Sequence, residues 1–198
     1  MGYICDFTGE LVGTFLLVLF GCGSVAVSVL FNSYSGLFQI AIVWGVGVSL
    51  AIYATRHLSC AHLNPAVTIA MVVSKRMSFK KLPFYLIAQF LGAFCAGLTV
   101  YVLFAPFISA FEIAQNIVRG TPESVKVAKI LGEYYQMPGT MTVVSMPLAM
   151  VAEFIGTFLL VFMIFFLTEG CNLGRPDNNL APIFIGLTVT SVICLIGH

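Results

Sequence analysis

The residues best placed to do chemistry lie in one stretch, Ser59-Cys60-Ala61-His62-Leu63-Asn64-Pro65-Ala66-Val67-Thr68-Ile69-Ala70. Nothing in it is spaced to make or break bonds; what it offers is fixed dipoles. Asn64 is a favoured helix N-cap, and Pro65 suits the first helical position because it has no N–H to satisfy. A helix starting there has eight or nine compatible residues and is roughly 12–14 Å long, about half of a ~30 Å hydrocarbon core. It therefore reads as re-entrant rather than spanning. Its first N–H groups and the positive end of its dipole then face the bilayer midplane, where they repel an arriving cation or proton. The residues before Asn64 are left to offer their carbonyls to a file of water or hydroxyls. Taken alone, Asn-Pro-Ala also reads as an ordinary helix start in a loop, so the context decides.

Other polar groups are candidates because lipid makes them expensive. Glu10, Glu153 and Gln89 fall inside apolar runs and are expected to face protein or a cavity. The two carboxylates could relay protons; the plainer role is one carboxylate accepting hydrogen bonds from the frayed backbone around a half-helix. His57 and His62 are five residues apart, which sets their rings about 140° apart on a helix, and no HExxH-like base accompanies them. A metal enzyme is thus disfavoured, and neither a metal nor a cofactor is expected. Six cysteines, at 5, 22, 60, 95, 171 and 194, form no CxxC pair and read as small packing residues rather than a disulfide framework.

The elements that must position these residues belong in a membrane. Of 198 residues, 60% are hydrophobic and 9% charged, too few charges to cover a soluble globule. The net charge of +1 gives no reason to expect nucleic acid. Long apolar runs at about 8–31, 36–56, 82–106, 147–168 and 179–197 predict five spanning helices, with the half-helix between the second and third. Lys75, Arg76, Lys80 and Lys81 follow the half-helix and place that turn in the cytoplasm. The N-terminus is then cytoplasmic and the segment 107–146 external, with short helices around 113–119 and 122–129 and a turn at Pro138-Gly139.

Glu10-Leu-Val-Gly-Thr-Phe-Leu-Leu-Val18 matches Glu153-Phe-Ile-Gly-Thr-Phe-Leu-Leu-Val161 at seven of nine positions, at an offset of 143. Three spans separate the two starts, so the second copy begins on the opposite side of the membrane. Such an inverted repeat builds a path along the repeat interface. The chain divides accordingly into a first repeat at 1–106, a connecting segment at 107–146 and an incomplete second repeat at 147–198. Gly9-xxx-Gly13, Ala88-xxx-Gly92 and Gly92-xxx-Ala96 are spaced for close helix approach.

These residues resemble the major intrinsic protein family, the aquaporins and aquaglyceroporins, and its glycerol-facilitator branch in particular. The resemblance rests on Glu10 with Gly-Thr-Phe, on Trp44-Gly-Val-Gly-Val-Ser-Leu-Ala-Ile-Tyr53, on the stretch around Asn64, on Ala88-Gln-Phe-Leu-Gly-Ala-Phe94 and on Val118-Arg-Gly-Thr-Pro-Glu-Ser-Val-Lys126. It implies an all-α membrane protein with an aquaporin-like, inverted-repeat bundle, here five spanning helices plus one re-entrant half-helix. It further implies that Asn64, with Pro65 and Ala66, is the first of two asparagines donating to a single file. Ala61, His62 and Leu63 would present pore-lining carbonyls, and Glu10 and Glu153 would support the half-helices. Trp44 falls at the outer constriction, where an aromatic wall favours glycerol as well as water, although a packing or interfacial role stays open for it. The family assembles as homotetramers with one pore per subunit.

The offset puts the second Asn-Pro-Ala near position 207, beyond His198, together with the constriction arginine and a sixth span. In that sense the chain reads as C-terminally truncated: either a longer channel continues, or the missing half is borrowed from another chain. Leu195, rather than His198, fits the fifth-span filter position. The expected function is passive passage of glycerol, water and other small uncharged solutes across a cell membrane, with ions and protons excluded. The alternatives are a non-conducting channel fragment and a proton-coupled secondary transporter using Glu10 and Glu153.

Overall fold

A computed structural model describes residues 2–136, 139 and 144–197. Among these the secondary structure is helical: α1 (Tyr3–Phe31), α2 (Leu37–Thr55), α3 (Pro65–Val73), α4 (Leu82–Ala114), the single turn α5 (Val125–Ala128), α6 (Met146–Thr168) and α7 (Ala181–Ile196), with short 3-10 turns at Phe79–Lys81 and Pro122–Ser124. Four of the helices, α1, α2, α4 and α6, are long and apolar enough to cross a membrane. The fifth apolar run gives the 16-residue apolar α7, which reaches Ile196, two residues before His198.

Two boundaries move. α1 starts at Tyr3, several residues before the apolar run, because its first turns carry Asp6 into a buried site. α4 continues past the expected end at 106, with Pro106 inside it, to Ala114. The proposed division at 106/107 therefore cuts a continuous helix. In the connecting segment only Pro122–Ser124 and Val125–Ala128 form the short helices foreseen; 113–119 is the end of α4 followed by turns. Ile117, Val127 and Ile130 from this segment are buried against Cys22, Ala26, Val100 and Ile108 of α1 and α4. Pro138 lies outside the described residues, while Gly139 has φ +81°, a left-handed conformation that glycine adopts freely.

The repeat is visible in the elements themselves. α6 begins 143 residues after α1, and α7 144 after α2. α2 and α7 cross at Gly45 and Gly186, where each glycine faces the other's carbonyl oxygen: a Cβ at Gly45 would lie 2.5 Å from the Gly186 oxygen, and one at Gly186 would lie 2.2 Å from the Gly45 oxygen. Ser49 Oγ donates to the Pro182 carbonyl at 3.0 Å and Thr190 Oγ1 to the Ala41 carbonyl at 3.1 Å. The pairs 41–190, 45–186 and 49–182 run in opposite directions along the two helices, as a local two-fold axis between inverted copies requires.

Small residues on α1 do a partly different job from the one their spacing suggested. A Cβ at Gly9 would meet Ser59, and one at Gly13 would meet Leu63 and the Thr55 hydroxyl at the end of α2; Gly9 makes room for the segment before α3, and Gly13 for that segment and the end of α2. Gly92 of α4 does accept a helix, its missing Cβ facing the Leu11 carbonyl of α1 at 2.4 Å. The outward surface is apolar, with Phe90, Phe94 and Phe154 each about two-thirds exposed, and suits hydrocarbon. Of the cysteines only Cys22 is buried; the other five are exposed, so the packing role expected of them holds for Cys22 alone.

Candidate functional site

Between α2 and α3 the chain folds back into the bundle. Asn64 caps α3 from extended backbone: its side-chain oxygen accepts from the N–H of Ala66 at 2.8 Å and of Val67 at 3.4 Å, with Pro65 at the first helical position. Because Oδ1 is taken up by the helix, the Asn64 amide NH2 is left facing the adjacent cavity, which Asn64 lines.

The approach to Asn64 is built by strain held in place. Ala61 and Leu63 have φ of +49° and +52°, a region that costs a non-glycine residue about 1–3 kcal/mol and persists only where its surroundings fix it. The fixing comes from N–H bonds to protein. Ser59 N–H donates to the Thr55 carbonyl at 3.1 Å, Cys60 to Tyr85 Oη at 3.3 Å and Ala61 to Ser59 Oγ at 2.9 Å. His62 and Leu63 donate to the two carboxylate oxygens of Glu10 at 3.0 and 2.8 Å. With every N–H from Ser59 to Leu63 turned to protein, the carbonyls of Cys60, Ala61, His62 and Leu63 have no protein donor among the described residues, and these four residues line the cavity.

Glu10 is fully buried. Besides the two backbone donors it accepts from Ser59 Oγ at 2.8 Å and Gln89 Nε2 at 2.7 Å. Four donors on two oxygens match the acceptor-only capacity of an ionised carboxylate; a protonated one would set its own O–H against a donor. Gln89 also donates to Thr68 Oγ1 at 2.9 Å, and Thr68 donates to the Asn64 carbonyl at 3.0 Å. One hydrogen-bonded set thus ties α1, the loop, α3 and α4 together.

The cavity has a volume of about 500 Å³. One end is polar, where Arg56, Arg76, Thr168 and Asn178 gather at the ends of α2, α3 and α6 and the approach to α7. From there it passes the four free carbonyls and Asn64 to Trp44, walled opposite by Val48, Ile164, Ile185 and Val189. The Trp44 indole lies on α1 at Gly21, where a Cβ would come within 2.3 Å of the ring. A strip of hydrogen-bonding groups facing an apolar wall fits a molecule with hydroxyls on one side and carbon on the other.

The matches to known proteins agree with this geometry. Residues 3–198 match the major intrinsic protein family. The chain belongs to that family. It is 42% identical over 188 residues to the glycerol uptake facilitator protein of Pseudomonas aeruginosa, covering 95% of this chain and 65% of that one. It is 38% identical to the propanediol uptake facilitator of Salmonella typhimurium, covering 92% and 67%. Among solved structures, the aquaglyceroporin from Plasmodium falciparum superposes with a TM-score of 0.80 at 28% identity, covering 99% of this chain and 74% of that one. The chain spans about two thirds of the length of the curated relatives it matches. As a major intrinsic protein with an aquaporin-like helical fold, it is a multi-pass membrane protein and not an enzyme.

Glu153, expected to support a second half-helix beyond His198, is exposed on α6 near Glu133 of the connecting segment. One site residue of this major intrinsic protein lies elsewhere than expected. Leu195 is 56% exposed and lines a separate depression between α6 and α7 with Leu159 and Leu187. The cavity face of α7 carries Ala181, Pro182, Ile185 and Val189; continued at 3.6 residues per turn it comes round to 192, 193 and 196, and 195 points away. Tyr85 and Asp6 were not singled out from sequence, and Ser59 and Thr68 were given no separate role within their stretch. Asp6 and Tyr85 carried no motif, whereas Gln89 was visible as a polar residue in an apolar run.

Proposed function

We propose that the chain forms a passive membrane pathway for glycerol, water and other small uncharged solutes, and that it excludes protons and ions. The observation that carries this reading is the row of carbonyls from Cys60 to Leu63, without protein donors among the described residues, leading to the Asn64 amide. Ala61, His62 and Leu63 accept from solute hydroxyls, Asn64 donates to them, and Pro65 and Ala66 open the half-helix that aims the donor. Trp44 provides an aromatic surface along which a carbon backbone slides. Glu10 holds the carbonyls in register. The half-helix presents the equivalent of roughly half a positive charge at its start, which disfavours cations at the point where they would have shed water. The names of the facilitator relatives support glycerol and related polyols as solutes.

A proton-coupled transporter is less compatible with the same geometry. Glu10 is fully buried and saturated by four donors. The basic turn after α3 shares a side with the start of α1, since Lys81 lies 2.7 Å from Asp6; by the positive-inside rule this supports a cytoplasmic N-terminus in the cell membrane. A homotetramer with one pathway per chain follows from the family and is checked by mass measurement of the detergent-solubilised protein.

The test is Asn64→Asp, measured by stopped-flow light scattering on proteoliposomes. Aspartate caps a helix as well as asparagine, so α3 persists while the donor is replaced by an acceptor. Glycerol permeability is expected to fall about ten-fold or more, the worth of one hydrogen bond to a fixed partner. Unchanged glycerol flux in a correctly inserted variant would remove Asn64 from the pathway.

A further inference from the structure

Beyond the Glu10 set, a second chain of contacts reaches the pathway from the surface. Asp6 on α1 is 1% exposed and Tyr85 on α4 fully buried. Lys81 Nζ, partly exposed, lies 2.7 Å from Asp6 Oδ2. Tyr85 Oη donates to Asp6 Oδ1 at 3.2 Å and accepts from the Cys60 N–H at 3.3 Å. The Tyr85 ring packs on the His62 ring with centroids 5.0 Å apart. Cys60 supplies the first of the free carbonyls at the polar end of the cavity, and its N–H is the only one between Ser59 and Leu63 that depends on neither Glu10, Ser59 nor the preceding helix.

Geometry gives this chain a purpose separate from fastening helices. A peptide plane turns as a unit: the Cys60 N–H lies in one plane with the Ser59 carbonyl, and the Cys60 carbonyl lies in the next with the Ala61 N–H, which Ser59 Oγ holds at 2.9 Å. Tyr85 and Ser59 thus anchor the two planes that meet at Cys60, and releasing the first lets the turn that carries the Cys60 carbonyl shift at its φ and ψ. Tyrosine is suited to this, because one hydroxyl both accepts from the amide and donates to a carboxylate. A buried carboxylate would be costly alone, and Lys81 compensates it from the rim.

We propose that Tyr85, oriented by Asp6 and Lys81, is a positioning residue for permeation: with Ser59 it anchors the turn that carries the Cys60 carbonyl, the entry acceptor for polyols. The assignment rests on the pore reading above and adds to it a role for a residue that touches no solute. A polyol must satisfy several hydroxyls at once against carbonyls in fixed register, whereas a water molecule reorients freely at each step. Loss of the Tyr85 hydroxyl is thus felt by glycerol more than by water.

The experiment compares the protein with its Tyr85→Phe variant in proteoliposomes, reading glycerol and water permeability in the same preparation, and follows hydrogen exchange at the Cys60 amide. Phenylalanine keeps the ring contact with His62 and removes only the hydroxyl. Expected are a fall in the glycerol-to-water permeability ratio of roughly five-fold, the worth of one hydrogen bond, and faster exchange at Cys60. Asp6→Asn, which can still accept from Tyr85, is expected to lower the ratio by less than Tyr85→Phe. A merely structural role would lower both permeabilities in proportion to the protein inserted, and an unchanged ratio in a conducting protein overturns the assignment to Tyr85 alone. An unsubstituted protein that passes neither solute overturns the pore reading and the assignment with it, so the two failures are told apart.

Discussion

Replacing Glu10 with glutamine is expected to cost about 1–3 kcal/mol, the usual penalty for leaving a buried donor without its acceptor. Glutamine offers one acceptor oxygen where Glu10 offers two, and its NH2 would confront either the pair Ser59 Oγ and His62 N–H or the pair Leu63 N–H and Gln89 Nε2. In each case a buried backbone N–H, that of His62 or of Leu63, loses its acceptor, while the Ser59 hydroxyl or the Gln89 amide can turn to accept instead. The left-handed conformations at Ala61 and Leu63 are then no longer held, so the loop relaxes and the carbonyl row loses its register. For a chain of this size a loss of that order corresponds to a fall in Tm of roughly 2–12 °C, measurable by thermal unfolding in detergent. Gln89→Leu, which removes one donor and keeps the carboxylate, is expected to cost less. Glu10→Gln with an unaltered Tm and unaltered glycerol flux would show that the carboxylate does not hold the loop.

The second large effect is expected at the crossing of α2 and α7. Gly186→Val would place a Cβ 2.1 Å from Ser49 Oγ and 2.2 Å from the Gly45 carbonyl oxygen. The serine can rotate, but the backbone oxygen cannot. The helices must therefore separate, which weakens the Ser49 bond to Pro182 and the Thr190 bond to Ala41. Overpacking costs about 1–3 kcal/mol, and interhelical hydrogen bonds in membranes add about 0.6–2 kcal/mol each. The expected outcome is loss of most of the monodisperse protein in size-exclusion chromatography. Gly23→Ala is the control: nothing lies within 4 Å of a Cβ there, so helix propensity alone predicts a neutral or slightly stabilised protein. Normal yield and stability of Gly186→Val would mean that α2 and α7 do not meet as described.

What could be read from the sequence was what depends on local chemistry. Asn64 and Pro65 announce a helix start by their own backbone preferences, and α3 begins and ends where those residues and the run after them require. The repeat was legible because its match carries polar and small residues, and α1 and α6 start in the same register. Glu10 and Gln89 stood out because lipid penalises them.

What could not be read depends on partners far apart in the chain. Gly9 and Gly13 have helix-packing spacing, yet only the fold shows that a loop, joined at Gly13 by the end of α2, fills the space above them. Tyr85 in an apolar run looks like packing until Asp6 and the Cys60 amide are brought to its hydroxyl. Leu195 was placed by alignment to a filter position, but helical phase carries it off the cavity face.

The measurement that bears most directly on the central claim is the initial rate of glycerol equilibration in proteoliposomes that carry a pH-sensitive dye inside, compared with protein-free vesicles. A pathway of fixed carbonyls, with an amide donor and a positive half-helix end, predicts glycerol entry well above the protein-free rate, driven by its own gradient, with no accompanying change in internal pH. Glycerol entry that requires or produces a proton gradient, or that does not exceed the protein-free rate, would contradict the account.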